Sequence, residues 1–441
     1  MKIALLKGFD QQALMRYAKN TSWLFAGRIG SLVIKMLIGI AVQNYLRPEQ
    51  NGILEYANAF VVLVLPLAAL GLDSFTVREL VRSPDERNRI LGTAFWLKLI
   101  GGLSIIPVIA AGYYFFGQTE TPYIFVLIIS FAGIFQTFTI IDSFFQSRVE
   151  GKFIMQATVI ANLITAVIRG IFIMLEMPIE AFIWMLLLDY VLLALGYIIV
   201  YQRRGFSVPK WAFDRQKAGF LLKKSWPLMF SAILVSLYMR IDVLMIGNML
   251  GEDQLGIYAT VVRFSEVWYF IPMAIVTSVF PAIINAKIQD EKRYQKRLQN
   301  MYDLMVVISV GIAVVMTFGS DLLYHIAYRN NPAYFAGADV LKIHIWAGVF
   351  VFLGSASGQY LINEGLTQLS LLRTAMGALV NVVLNLILLP RMGIVGAAWA
   401  TLAAYFTATF FIVFVPKTSR QALLMLKSLF LISIIQNLRK R

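Results

Sequence analysis

The sequence contains twelve stretches of about 20 mostly apolar residues, separated by short polar connections. A helix needs about 20 such residues to cross the hydrocarbon core of a bilayer. Since 59% of the residues are hydrophobic and only 14% are charged, the chain as a whole departs from the composition of a soluble globular protein. We therefore predict an all-α polytopic membrane protein with about 12 transmembrane helices. The predicted spans are residues 21–46, 53–79, 90–116, 121–147, 153–175, 179–201, 225–250, 255–286, 298–319, 338–363, 369–389 and 393–415.

The composition argues against several kinds of chemistry. The chain has no cysteine and only two histidines, His325 and His344, which is unfavourable for disulfides, thiol catalysis and His- or Cys-based metal sites. We expect no catalytic residue and no metal. We expect no cofactor other than a coupling ion, H⁺ or Na⁺.

The net charge of +15 is interpreted as a topology signal. Most of the 39 lysines and arginines fall in the tails and in alternate connections, Arg373 among them. Because Lys and Arg collect on the cytoplasmic side, this pattern places both termini in the cytoplasm. Because this topology accounts for most of the positive net charge, we expect no nucleic-acid partner.

The two halves of the chain resemble each other. The motif PEQNGILEYA at 48–57 is echoed by GEDQLGIYA at 251–259, and each opens a span with an internal proline. Six spans per copy give parallel repeats, so we predict two six-helix lobes related by a pseudo-two-fold axis along the membrane normal. The predicted parts are a cytoplasmic lead-in helix (1–20), an N-lobe with spans 1–6 (21–201), a cytoplasmic linker (202–224), a C-lobe with spans 7–12 (225–415) and a tail (416–441). We interpret the tail as a basic amphipathic helix at the inner interface, with a thirteenth span as the alternative.

Two cations in the first span are the strongest functional signal. Arg28 and Lys35 are seven residues apart, so they share one helix face, and the span has no acid to neutralise them. A charge at the centre of a membrane helix costs roughly 2.5–3.5 kcal/mol on insertion scales, so these residues should face a watery cavity or bind an anion. Arg240 occupies the equivalent zone of span 7. The three residues predict an electropositive cavity for a phosphate-bearing or acidic substrate.

Three further cations, Lys98, Arg169 and Arg263, are candidates for the same role. Their alternative is a structural ion pair, or snorkelling toward the interface in the case of Lys98. Arg263 and Glu266 are three residues apart on one helix face, which predicts that they pair locally.

Acidic residues within spans are candidates for carrying a coupling ion. We assign this role to Asp189, Asp242 and Glu266. Asp242 should not pair with Arg240, because residues two apart point to different faces. Asp73 and Arg78, at the inner end of span 2, are either a salt-bridged cytoplasmic gate or a solvated helix end.

The segments NYLRPEQNGILEYANAFVVLVLPLAALGLDSFTVREL (Asn44 to Leu80) and YMRIDVLMIGNMLGEDQLGIYAT (Tyr238 to Thr260) resemble bacterial polysaccharide-biosynthesis flippases of the O-antigen type. These belong to the multidrug/oligosaccharidyl-lipid/polysaccharide exporter superfamily. The resemblance implies two helix bundles in a V and alternating access through a cationic central cavity. It implies transfer of an undecaprenyl-diphosphate-linked oligosaccharide from the inner to the outer leaflet of the bacterial plasma membrane.

The implied partners are that lipid-linked glycan, membrane lipids and other membrane proteins of glycan assembly. By comparison with the related lipid II flippases, we expect the two additional C-terminal spans of those proteins to be missing here. Two other functions stay open. One is a drug or cation antiporter of the same superfamily. The other is a membrane glycan polymerase or ligase that uses Asp321, His325 and Arg329 on the longest outer connection, although we expect the protein not to be an enzyme.

Overall fold

We describe the protein from a computed structural model that covers residues 11–117 and 119–438. Within these ranges every regular element is a helix. The α-helices of the first half are α1 (Gln11–Tyr45), α2 (Pro48–Ala69), α3 (Leu72–Arg82), α4 (Arg87–Phe116), α5 (Tyr123–Ser130), α6 (Ala132–Gln136), α7 (Ile140–Ser147), α8 (Gly151–Met174) and α9 (Ile179–Arg203). Those of the second half are α10 (Arg215–Leu250), α11 (Glu252–Glu266), α12 (Phe270–Gln289), α13 (Glu291–Ala327), α14 (Gly337–His344), α15 (Ala347–Asn363), α16 (Thr367–Met392), α17 (Ile394–Phe410), α18 (Ser419–Leu429) and α19 (Ile432–Leu438).

Short 3₁₀ helices join or continue these elements: Pro84–Glu86, Thr137–Thr139, Val208–Lys210, Val267–Tyr269, Pro332–Ala336, Phe411–Phe414 and Pro416–Thr418. Within the described ranges, ten helical stretches are long and apolar enough to cross a membrane. An eleventh is the pair Pro332–His344 and Ala347–Asn363, which bends by 46°. The first predicted span, 21–46, falls in α1 up to residue 45, and the 35 residues of this helix exceed the length that a bilayer requires. The prediction of an all-α polytopic membrane protein is confirmed.

The chain forms two compact units whose limits differ from the predicted lobes. The first unit comprises the residues up to Val42 together with Phe60–Gly117 and Pro122–Ile233. The second comprises Gln43–Ala59, a short piece that ends at Thr121, and the residues from Leu234 onward. A segment of the first sequence repeat therefore belongs to the same unit as the second repeat. The boundary at Ile233 lies inside α10, and the predicted linker 202–224 lies within the first unit.

That predicted linker is packed against α4. The backbone N–H of Ala212 donates to the carbonyl of Asn88 at 3.1 Å, and a Cβ on Gly92 would come within 2.5 Å of the Ala212 backbone. Asp214 begins α10, because its carboxylate accepts from the backbone N–H groups of Lys217 and Gln216. These hydrogen bonds, with that from Lys217 the stronger influence, lower the pKa of the Asp214 carboxyl. The linker is thus an ordered part of the first unit.

The second span is broken after its internal proline. Pro66 lies in the last turn of α2, and the backbone of Leu70 and Gly71 is left-handed before α3 begins. Gly71 also approaches the start of α10 so closely that a Cβ would lie 2.7 Å from the Ser225 carbonyl oxygen. Only glycine combines this backbone angle with this contact at little cost.

The tail is made of two helices that are too short to cross a bilayer. Helices α18 and α19 have 11 and 7 residues and are separated by Phe430 and Leu431, of which Leu431 has a left-handed backbone. Helix α18 buries Ala422 and Met425 in the core of the second unit. The described part of the tail is therefore not a thirteenth span. Residues 1–10 of the predicted lead-in lie outside the described residues.

Candidate functional site

Arg28 and Lys35 are exposed on α1, and no ion pair joins either of them to another described side chain. Ser31, between them on the same face, is buried and accepts a hydrogen bond of 2.8 Å from the amide nitrogen of Asn162 on α8. This bond links that face of α1 to the interior of the first unit. Arg28 and Lys35 therefore lie on the same face of α1 that packs against the rest of the first unit.

A second face of α1 carries exposed apolar side chains. Ile29, Val33 and Leu37 follow each other at intervals of four residues and are 42%, 50% and 64% exposed. At 100° per residue this stripe lies on the side of the helix away from Arg28 and Lys35. An apolar stripe is suited to lipid, whereas unpaired cations are not. Helix α1 thus separates a lipid-compatible face from a cationic face.

Lys98 is an internal residue and does not snorkel. Its side chain is 1% exposed, and its ammonium donates to the Asp73 carboxylate and to the Thr139 hydroxyl, both at 2.6 Å. Asp73 lies in the first turn of α3 and is half exposed. The structure therefore places Lys98 in an ion pair inside the first unit.

The predicted gate residues do not form a pair with each other. Asp73 is bound to Lys98, whereas Arg78 is exposed on α3 with its guanidinium 5.9 Å from the centre of the Phe75 ring. A salt-bridged gate between Asp73 and Arg78 is thus absent from this structure. The arrangement at Arg78 corresponds to the alternative, a solvated helix end.

Arg169 and Asp189 are also partners of each other. They lie on the adjacent helices α8 and α9, with a guanidinium nitrogen 2.5 Å from a carboxylate oxygen. The side chains are 14% and 30% exposed. A predicted substrate ligand and a predicted coupling acid therefore neutralise each other in this structure.

In the second unit the predicted local pair of Arg263 with Glu266 is wrong. Glu266 instead pairs with Arg240 on α10, at 3.3 Å, and Arg263 pairs with Glu55 on α2, at 3.3 Å. Spacing along one helix favoured the local pair, but the tertiary partners lie in better positions. Arg240 is consequently charge-neutralised, in contrast to Arg28 and Lys35.

Asp242 is buried and makes no ion pair with Arg240, as predicted. Its carboxylate accepts from the Tyr258 hydroxyl at 2.8 Å and from the backbone N–H of Val243 at 2.9 Å. These bonds stabilise a buried carboxylate without a cation. The role of Asp242 in carrying a coupling ion stays a prediction.

The two repeat motifs pack directly on each other through glycine, a contact that sequence reasoning missed. A Cβ on Gly52 would lie 1.8 Å from the carbonyl oxygen of Glu252, and a Cβ on Gly256 would lie 1.8 Å from that of Pro48. The Asn51 amide nitrogen donates to the Gly256 carbonyl at 2.9 Å. Each motif thus contributes one glycine to the contact, and a small residue at a helix contact lets the two backbones approach closely. This pair of motifs, which we call the repeat crossing, lies within the second unit.

A cavity of about 520 Å³ opens in the second unit, and Arg373 lines it. The prediction that Arg373 belongs to a cytoplasmic connection is wrong, because the residue lies inside α16 and is 9% exposed. Arg373 lies within the predicted span 369–389, and that span contains no acid to neutralise it. This was the signal in the sequence that the residue belongs to a helix and needs a partner from elsewhere.

The chain matches two known families. Residues 17–287, more than half of the chain, match the family described as "Polysaccharide biosynthesis protein". Residues 227–387 match the family described as "MatE".

Related proteins extend over most of the chain. The "Capsular polysaccharide biosynthesis protein CapF" of Staphylococcus aureus is 21% identical over 88% of this chain and 96% of its own length. The "Probable low-salt glycan biosynthesis flippase Agl15" of Haloferax volcanii is 25% identical over 89% of this chain and 81% of its own. Among solved structures, "Lipid II flippase MurJ, inward closed conformation" is 14% identical, with a TM-score of 0.69 over 94% of this chain and 92% of that one. At this identity the structural match establishes a shared fold.

Proposed function

The chain belongs to the polysaccharide biosynthesis protein family, and on that premise we propose that it is a flippase for a lipid-linked oligosaccharide. Its substrate is an undecaprenyl-diphosphate-linked glycan that passes from the inner to the outer leaflet by alternating access. The similarity to the S. aureus capsular polysaccharide biosynthesis protein and to the H. volcanii glycan biosynthesis flippase supports a role in polysaccharide or glycan assembly. The protein acts in the plasma membrane with both termini in the cytoplasm, and other membrane proteins of glycan assembly are its partners.

The observation that carries the proposal is the cationic face of α1. Each of the other predicted substrate cations, Lys98, Arg169, Arg240 and Arg263, has a carboxylate partner, whereas Arg28 and Lys35 have no described ion pair. An uncompensated charge in a membrane helix is costly, and an anionic ligand offsets that cost. A diphosphate provides several oxygens for the fork of an arginine and the point charge of a lysine. Arg28 and Lys35 are therefore the residues that hold the diphosphate.

Coupling to H⁺ or Na⁺ is part of this proposal. Asp242 is the most suitable carrier because it has no cationic partner, whereas Asp189 and Glu266 are each bound to an arginine. A carboxylate that is held only by neutral donors can exchange a proton or a cation without first breaking an ion pair.

The test is charge removal at α1. Arg28→Gln and Lys35→Gln should each lower glycan export in a deletion strain that is complemented with the variant, and the lipid-linked glycan should accumulate on the inner leaflet. Arg28→Lys and Lys35→Arg should retain more export than the neutral variants because they keep the charge. The matched control is Lys210→Gln, which removes an exposed cation from the 3₁₀ helix Val208–Lys210. Normal export by both glutamine variants at matched protein levels would refute the cationic-face hypothesis.

A drug or cation antiporter is the second candidate, because residues 227–387 match the MatE family. An antiporter of this kind would bind a cationic drug at an acid, and Asp242 is a buried acid in that region that forms no ion pair with another described residue. Overexpression should then raise resistance to cationic dyes, and Asp242→Asn should abolish that resistance. If the protein is a flippase only, overexpression should not raise resistance, and Asp242→Asn should impair glycan export alone.

A further inference from the structure

We infer that the cavity in the second unit is a separate binding site for an anionic group carried on an apolar or ring-shaped body, with Arg373 as its ligand. The cavity lies among α10, α12, α15, α16 and α17 and has a volume of about 520 Å³, within the range of small-molecule sites. It does not include Arg28 or Lys35. It is thus distinct from the cationic face of α1.

Arg373 is the charged residue that lines the cavity. One guanidinium nitrogen donates to the Gly354 carbonyl at 3.0 Å, and the other approaches the Ser357 hydroxyl at 3.4 Å. No described carboxylate lies within ion-pair distance of it. A guanidinium has five N–H donors, so these two contacts leave others available. A buried cation that has only neutral partners is unfavourable unless an anion completes the site.

The surrounding helices make room for this side chain. A Cβ on Gly358 of α15 would lie 2.8 Å from a guanidinium nitrogen of Arg373. One turn along α16, a Cβ on Gly377 would lie 2.8 Å from the ring of Tyr238. Both glycines therefore allow a large side chain to occupy the space at the cavity. The site is built around Arg373 and Tyr238.

The remaining wall determines what accompanies the anion. Tyr238 and Tyr405 meet edge to face with ring centres 4.7 Å apart, and Tyr269 lies 6.5 Å from Tyr405. All three tyrosines line the cavity, along with apolar side chains such as Met239 and Phe350. Aromatic rings provide broad apolar contact together with a polar edge. The ligand is therefore a phosphate or carboxylate attached to a sugar ring or a hydrocarbon chain, and not a free inorganic anion.

Two sources could supply this anion, namely the diphosphate of a prenyl lipid or the carboxylate of an acidic sugar. The choice of these sources rests on the proposed function, whereas binding at Arg373 does not. The test uses the purified full-length protein in detergent and measures its thermal unfolding with farnesyl diphosphate or glucuronate. Farnesol and glucose serve as the neutral counterparts. Stabilisation by farnesyl diphosphate identifies the lipid diphosphate, and stabilisation by glucuronate identifies the acidic sugar.

Arg373→Gln should weaken binding of the anionic probe by about tenfold or more, as expected for loss of charge-assisted hydrogen bonds. Arg391→Gln is the matched control, because Arg391 is exposed in the last turn of the same helix. This variant should bind the anionic probe as the wild type does. If Arg373→Gln does not fold, Thr277→Phe obstructs the cavity from an exposed position and should weaken binding with Arg373 in place.

Two results would overturn the inference. One is the absence of any shift in the unfolding of the wild type with either anion. The other is equal binding by the wild type and by the variant that folds. A failure of the α1 variants to affect export would refute the flippase proposal and leave this binding result unchanged.

Discussion

Arg263 lies 3.3 Å from Glu55, a residue 208 positions earlier in the chain. Both side chains are 24% exposed, so the pair is largely shielded from water. It joins the segment Gln43–Ala59 to α11 within the second unit. Next to it, the repeat crossing and the hydrogen bond from the Tyr56 hydroxyl to the Asn248 side chain join the same segment to α10 and α11.

Reversing the charge of one partner should therefore destabilise the second unit. Arg263→Glu places a second carboxylate beside Glu55 and should cost on the order of 1–3 kcal/mol, and the exchange Glu55→Arg with Arg263→Glu should recover part of that cost. The midpoint of thermal unfolding in detergent measures both effects. Asp339→Asn, which removes a 77% exposed partner of Lys342, should have little effect. If the loss of stability in the exchange variant equals the sum of the losses in Glu55→Arg and Arg263→Glu alone, the two side chains do not stabilise each other.

The repeat crossing predicts that two glycines cannot be replaced. Gly52→Ala and Gly256→Ala each place a methyl group where a backbone oxygen would lie 1.8 Å away, so the helices must separate. We expect lower thermal stability in both variants. Gly311→Ala is the matched control, because that glycine has nothing within 4 Å of an added Cβ and alanine favours a helix by about 1 kcal/mol. The prediction is contradicted if all three variants unfold at the same temperature.

Removing Asp73 and removing Lys98 should destabilise the protein by different amounts. Asp73→Ala leaves an ammonium that is 1% exposed with the Thr139 hydroxyl as its described hydrogen-bond partner, and should cost roughly 3 kcal/mol. Lys98→Met leaves a carboxylate that is half exposed and can be solvated, so the loss should be about 1 kcal/mol or less. Thermal unfolding of the two variants under identical conditions compares these losses. A larger loss in Lys98→Met than in the Asp73 variant would contradict the prediction, because it would make the half-exposed carboxylate, and not the buried ammonium, the more costly charge to leave unpaired.

Asp303 should hold the tail in place. Its buried carboxylate accepts from Ser428 at 2.6 Å, from Ser433 and from Gln299 at 3.0 Å. Asp303→Ala leaves these donors without their acceptor, at a cost of about 1–3 kcal/mol, and should speed protease cleavage between α18 and α19. Asp253→Ala, at an exposed position, is the control. Unchanged cleavage in Asp303→Ala would show that apolar packing alone docks the tail.

The sequence by itself determined the membrane class, the helices and the repeat. Runs of about 20 apolar residues are local and leave a chain in a bilayer few alternatives, because every backbone polar group must be paired within a helix. The two cations of α1 were also recognisable locally, since their spacing places Arg28 and Lys35 on one face of any helix.

Only the tertiary structure decided which charges have partners. Arg263 and Glu266 share a helix face, yet each pairs with a residue of another helix, and Arg373 lies in a cavity wall instead of a loop. The partner of a charge depends on which helices pack together, and this packing results from many weak contacts over the whole surface of each helix. The contact of Gly52 with Glu252 likewise depends on which helices pack together. The motifs containing these residues are visible in the sequence, but their mutual contact exists only in the fold.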